Sequence, residues 1–201
     1  MRSYHSLMAA NRRLLSRFIV CLVAFLIAMS PVRAFCDDPR IDGLSVTHNE
    51  DVLLSFNVTD AFTKEIEEAI KTGIPVSFTF YVEVYRIRGL WFNESVGSLT
   101  YLHTVKYDSF SEEYSVSLDE TSENPVLTKD TSEMMRLMVS SSNLPILRGV
   151  RLNAGDEYEL RVMAELNPVT LPFYLDYMLF FVKFWDFETD WHYYRFVYKT
   201  P

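Results

Sequence analysis

Residues 76–86 read Val76-Ser77-Phe78-Thr79-Phe80-Tyr81-Val82-Glu83-Val84-Tyr85-Arg86. Val76, Phe78, Phe80, Val82 and Val84 alternate with Ser77, Thr79, Tyr81 and Glu83. A period of two puts the apolar set on one side of an extended chain, and a helix would scatter it around the axis. The stretch is therefore a long strand with one dry face.

The same period recurs on both sides of it. Leu44, Val46 and His48 form one alternating set, and Val52, Leu54, Phe56 and Val58 another, with Asn49-Glu50 suited to a tight hairpin between them. Downstream come Leu99, Tyr101, His103, Val105 and Tyr107, then Tyr114, Val116 and Leu118. Tyr158, Leu160, Val162, Ala164 and Leu166 follow, with Glu157, Glu159, Arg161 and Glu165 outside. Tyr194, Phe196 and Tyr198 close the series.

Two segments change period. Phe62, Ile66, Ala69 and Ile70 fall on one helical face, with Asp60 or Thr63 able to cap the start and Gly73 and Pro75 ending it. Asp130-Thr131-Ser132-Glu133 resembles a capping box before Met134, Leu137 and Met138. Residues 119–129 read as a polar loop. The expected fold is mainly β: an antiparallel immunoglobulin-like β-sandwich of about seven strands with two or three short helical insertions. The Cys–Trp–Cys core of antibody domains is absent, and no internal repeat or linker divides residues 44–201, which read as a single domain.

Three blocks carry a family resemblance. They are residues 61–75 (AFTKEIEEAIKTGIP) running into Phe78-Thr79-Phe80 and Tyr85-Arg86; Tyr107-Asp108 with Tyr114; and Trp185 to Trp191 with the aromatic strand after it. Together they resemble the bacterial DUF4390 family of exported proteins, a domain of unknown function, from about Leu44 onward. The resemblance implies export and one domain. It brings no catalytic residues.

The N-terminus has the layout of a secretory signal. Residues 1–17 are polar and basic, residues 18–29 (FIVCLVAFLIAM) form a 12-residue apolar run, and Ser30-Pro31 leads to Val32-Arg33-Ala34, which suits cleavage after Ala34. The run is short for a span, which needs about 20 apolar residues. The expected division is a Sec-type signal peptide over 1–34, a short tail over 35–43 and a periplasmic domain. The alternative is an uncleaved inner-membrane anchor over residues 18–32. Asn11-Arg12-Arg13-Leu14-Leu15 also resembles a twin-arginine signal, though its apolar run is greasier than such signals carry. Cleavage leaves Cys36 as the single thiol, able to pair only between chains.

Charge excludes one partner class. The formal charge is −8, and no acid precedes Asp37. The five basic residues before Phe35 leave 14 basic and 27 acidic residues in the body, a charge of −13. Nucleic acid is excluded as a partner, because phosphate binding needs basic surface.

The chain contains no phosphate loop, dinucleotide fingerprint, HExxH, GxSxG or CxxC, and no cofactor is expected. His103, in an apolar row, reads as a core histidine. Asp186, Glu188, Asp190 and His192 would share a face of an extended chain and are the weak candidates for a divalent cation. Their parity is that of Tyr194 and Phe196, which must face inward, so a turn capped by these acids is preferred and no metal site is assigned. The aromatics are more telling. Thirteen of the 30 lie between Leu171 and Tyr198, and residues 172–185 (PFYLDYMLFFVKFW) are apolar on nearly every side. Leu90, Trp91 and Phe92 sit at an expected loop tip, where core burial is unfavourable.

The contact residues are therefore Leu90, Trp91, Phe92, Phe180, Phe181 and Trp185. The reading they support is an exported, non-enzymatic interaction module that meets an envelope protein or the inner-membrane surface. A periplasmic carrier of an apolar ligand is the alternative, and a metal-assisted hydrolase the third. Export predicts that the mature protein starts at Phe35. N-terminal sequencing of the chain from cell envelopes checks this, and recovery of Met1 in the membrane fraction establishes the anchor instead.

Overall fold

The computed structural model describes residues 38–48, 51–121, 124–147, 149–167 and 187–199. They comprise β1 (Arg40–His48), β2 (Val52–Thr59), α1 (Lys64–Lys71), β3 (Val76–Arg86), β4 (Glu94–Asp108) and β5 (Glu113–Leu118). Then come β6 (Val126–Thr128), α2 (Thr131–Val139), β7 (Ser140–Pro145), β8 (Glu157–Asn167), β9 (Phe187–Glu188) and β10 (His192–Val197). The Asn49-Glu50 turn and the signal or anchor lie outside the described residues.

All pairings are antiparallel, and they build two sheets. The small sheet has the order β1-β2-β7. The large one runs β10-β8-β3-β4-β5-β6, with β9 also on β8. This is the immunoglobulin arrangement in outline. β1, β2 and β7 take the places of strands A, B and E. β3, β8 and β10 take those of C, F and G, and β4 and β5 extend the C edge. The seven strands expected from alternation are all present, and β6, β7 and β9 are additional.

The core lies between the sheets. Phe78, Phe80, Leu54, Ile70, Leu160 and Val105 are fully buried. Phe80 is the contact point of the layers: its ring meets Phe56 of the facing sheet edge-on at 5.6 Å and stacks on Tyr101 at 5.1 Å. Such ring pairs add about 0.5–1.5 kcal/mol to the burial of their area.

The helices cross between sheets. Thr63, not Asp60, caps α1: its Oγ1 accepts from the Ile66 N–H at 3.4 Å. Asp60 instead has a left-handed backbone (φ 58). Ile66, Ala69 and Ile70 are the buried face, and Gly73 ends the helix at φ 86. In α2, Asp130 accepts from the Ser132 N–H at 2.8 Å, but the box does not close. Glu133 accepts from the Thr128 hydroxyl instead, and the Asp130 N–H donates to that same hydroxyl oxygen. Met134 and Met138 are buried as expected, while Leu137 is half-buried.

Loss of the layer contact should be costly. Phe80→Ala should lower unfolding free energy by about 3–5 kcal/mol, read as a shift in the urea midpoint at unchanged slope. An effect below about 1 kcal/mol would mean the sheets are not held together there.

Candidate functional site

The turn between β3 and β4 begins where the buried row runs out. Val84 is the last fully buried residue of β3, and Arg86 and Arg88 follow at the same parity. Both guanidiniums pair with Glu94 across the turn, and Arg86 also reaches Asp156 at 3.4 Å. Burial pulls the Glu94 carboxyl upward, and the hydrogen bonds from Arg88 and Arg86 outweigh it and hold the group below its ordinary range. The Ile87 N–H donates to the Glu157 carbonyl at 2.8 Å, and the Trp91 N–H to the Arg88 carbonyl at 3.4 Å. Gly89 has no unusual backbone angle, so the turn depends on these bonds and not on glycine.

Above this base the side chains are in solvent. Leu90 is 98%, Trp91 76% and Phe92 88% exposed. Three adjacent large apolar residues in water are unusual at a turn.

Phe180, Phe181, Trp185 and Asp186 lie outside the described residues. Their flanks, however, have places. Asn167 pairs with Ser77, and Phe187 with Leu166, at one end of β3, whereas Arg86 at the other end carries the Trp91 turn. The two flanks and the tip are separated by the length of β3, about 30 Å at roughly 3.3 Å per residue.

Glu188, Asp190 and His192 are exposed and do not converge, and among the described residues no three His, Cys, Asp or Glu are placed to hold a metal ion. The reason is a break in the strand. Register passes from Glu188↔Glu165 to His192↔Val162, so the chain carries one extra residue there. Thr189 fills the break: its N–H donates to the Ala164 carbonyl at 2.9 Å and its hydroxyl accepts from the Ala164 N–H at 3.1 Å.

Two polar clusters escaped the sequence reading. His103 is fully buried, as expected of a core histidine, with Nδ1 3.1 Å from the Met138 carbonyl and Nε2 2.8 Å from Glu120 Oε1. Glu120 lies in a loop without periodicity, so nothing in its spacing marked it. On the outer face of the large sheet Glu159 is only 4% exposed. Arg161 and Arg195 each bond it at 2.8 Å, and the Arg161 guanidinium lies 4.3 Å from the Tyr85 ring centre. The Glu159–Arg195 pair depends on the β8–β10 register, which the sequence does not display.

The fold and this geometry define a class: a two-sheet antiparallel β-sandwich with an aromatic hairpin tip held clear of its core. The chain belongs to the family described as domain of unknown function DUF4390, which it matches over residues 40–195. No curated protein and no solved structure matches it.

Burial raises the Glu159 carboxyl, and the hydrogen bonds from Arg195 and Arg161 outweigh this and lower it. A folded value below the unfolded one contributes stability above the unfolded carboxylate range, near 4, and loses it as pH falls through the folded value. Glu159→Gln should therefore reduce stability at pH 7 by about 1 kcal/mol, the upper end for an ion pair with an exposed partner, because Arg195 is 61% exposed. It should also flatten the acid limb of the stability–pH profile below pH 4. An unchanged acid limb in urea titrations would remove Glu159 from the account.

Proposed function

We propose that the protein is an exported, non-enzymatic interaction module of the bacterial envelope that presents the tip at residues 90–93 to a protein partner. The observation that carries this reading is the exposure of Leu90, Trp91 and Phe92 together on a turn braced at its base. Burying an apolar side chain of this size is worth about 1.5–3 kcal/mol, and the fold leaves all three in water. Anchors of protein interfaces are drawn from such side chains, Trp above all.

The body charge of −13 weighs against an anionic membrane surface as the first partner. The carrier reading would rest on Phe180, Phe181 and Trp185, which lie outside the described residues.

Trp91→Ala should change unfolding free energy by no more than about 0.5 kcal/mol. It should also weaken partner binding by about 2 kcal/mol or more, near 30-fold. Crosslinking from a photoreactive residue at Phe92 in intact cells, with and without Trp91→Ala, reads the second effect. A large fall in melting temperature, or crosslinks unaffected by the substitution, would sink the proposal.

A further inference from the structure

A second surface lies on the open flank of the sandwich. β4 has 15 residues, but β5 pairs only with its second half, from His103 to Asp108. Beyond His103 one more residue is served: the Asp119 N–H donates to the Leu102 carbonyl at 3.0 Å, and the Leu102 N–H donates to Asp119 Oδ2 at 3.3 Å. Alternation along an antiparallel strand then turns the N–H and C=O of Thr100 and Ser98 to the same side. No described strand lies there. Gly97, Ser98, Leu99 and Thr100 include no charge and no proline, and the bulge of β4 lies before them, at Val96.

The wall opposite is the end of β7. That strand's own free edge is blunted, because Asn143 has φ 53 and Pro145 has no N–H. Between the two edges runs a cleft of about 440 Å³, with Leu99, Leu144, Ile146 and Leu147 on its apolar side and Asp119 and Glu120 at one end. Glu120 gives Oε1 to His103, while Oε2 is buried and has no hydrogen-bond partner among the described residues. A buried carboxylate oxygen left unpaired is costly and favours an incoming donor.

We propose that this flank receives an extended peptide of a partner protein as a strand added to β4, with alternate apolar side chains turned into the cleft and a Lys or Arg reaching Glu120. The backbone groups of Ser98 and Thr100 supply the ladder, as in strand addition generally. The apolar wall selects every second side chain, and the two acids, on a body of charge −13, select the basic one. A small apolar ligand would leave both the ladder groups and the Glu120 oxygen unserved. The site does not depend on the Trp91 tip.

The test is to pan a displayed library of random heptapeptides on the full chain and to measure amide hydrogen exchange with the enriched peptides. Enriched sequences should alternate apolar and other residues with one Lys or Arg, and should slow exchange at Ser98 and Thr100 at least tenfold. Ser98→Pro, which removes one ladder donor facing solvent, should weaken them at least tenfold, and Trp91→Ala should not. Exchange on the unsubstituted chain stands as a readout if Ser98→Pro fails to fold. Failure to enrich any peptide, protection confined to residues 90–93, or affinity indifferent to the basic residue would overturn the proposal. Protection of Ser98 and Thr100 that rises with protein concentration alone would assign the flank to a second copy of the chain instead.

Discussion

The inner row of β3 must be kept dry along its whole length, and two sheets of unequal width have to do it. β3 is hydrogen-bonded on both sides, to β4 and β8, so its backbone is satisfied within the large sheet. Its side chains Val76, Phe78, Phe80, Val82 and Val84 need cover from outside that sheet. The small sheet has only three strands, and Phe56 from its central strand lands on Phe80. Both helices add apolar residues to the same core. α1 contributes Ile66, Ala69 and Ile70, and Phe62 just before it packs edge-on to Phe78 at 5.6 Å. α2 contributes Met134 and Met138. The helical insertions are thus what a three-strand layer requires when it must close over a seven-strand one.

Most polar groups that enter this core meet a partner, Glu120 Oε2 being the exception. α2 ends at Val139 with carbonyls that no further turn can satisfy. His103 reaches one of them through Nδ1, and because a carbonyl only accepts, Nδ1 carries a proton. Nε2 lies 2.8 Å from Glu120 Oε1. Tyr101 and Ser141 form a second buried link, from β4 to β7. Burial pushes the Tyr101 hydroxyl well above its ordinary range, which keeps it a neutral hydrogen-bonding group. These contacts set where α2 and β7 meet the large sheet with a directionality that apolar packing lacks.

Much of this was legible from alternation alone. Every residue read as inward in β2, β3 and β8 is buried, because period two is unambiguous when one face is dry. β7 was not legible: SSSNLP has no apolar alternation, and it is a strand because β2 imposes register on it. β6 and β9 have three and two residues, too few to show any period. The exposed tip was legible, since two arginines at inward parity mark the end of a buried row. Glu159 shows the limit of that reasoning. Parity puts it on the outer face, as read, but Arg161 and Arg195 close over it, and a side chain covered by its neighbours looks solvated in a sequence.

The tip and the open flank have one structural cause. β4 runs nine residues past the start of its pairing with β5, so the β3–β4 hairpin projects beyond the rest of that edge. On the β3 side β8 stiffens the projection, and Arg86 and Arg88 clamp Glu94 across the turn. Without that clamp three apolar side chains would gain by folding back onto apolar surface of the body. Leu147 packs so closely over Gly97 that a Cβ there would approach it to 2.9 Å. The long β4, half-paired among the described residues, therefore lifts an aromatic tip from the core and leaves a strand edge open beneath it. Both are features that a chain selected only for burial would have removed.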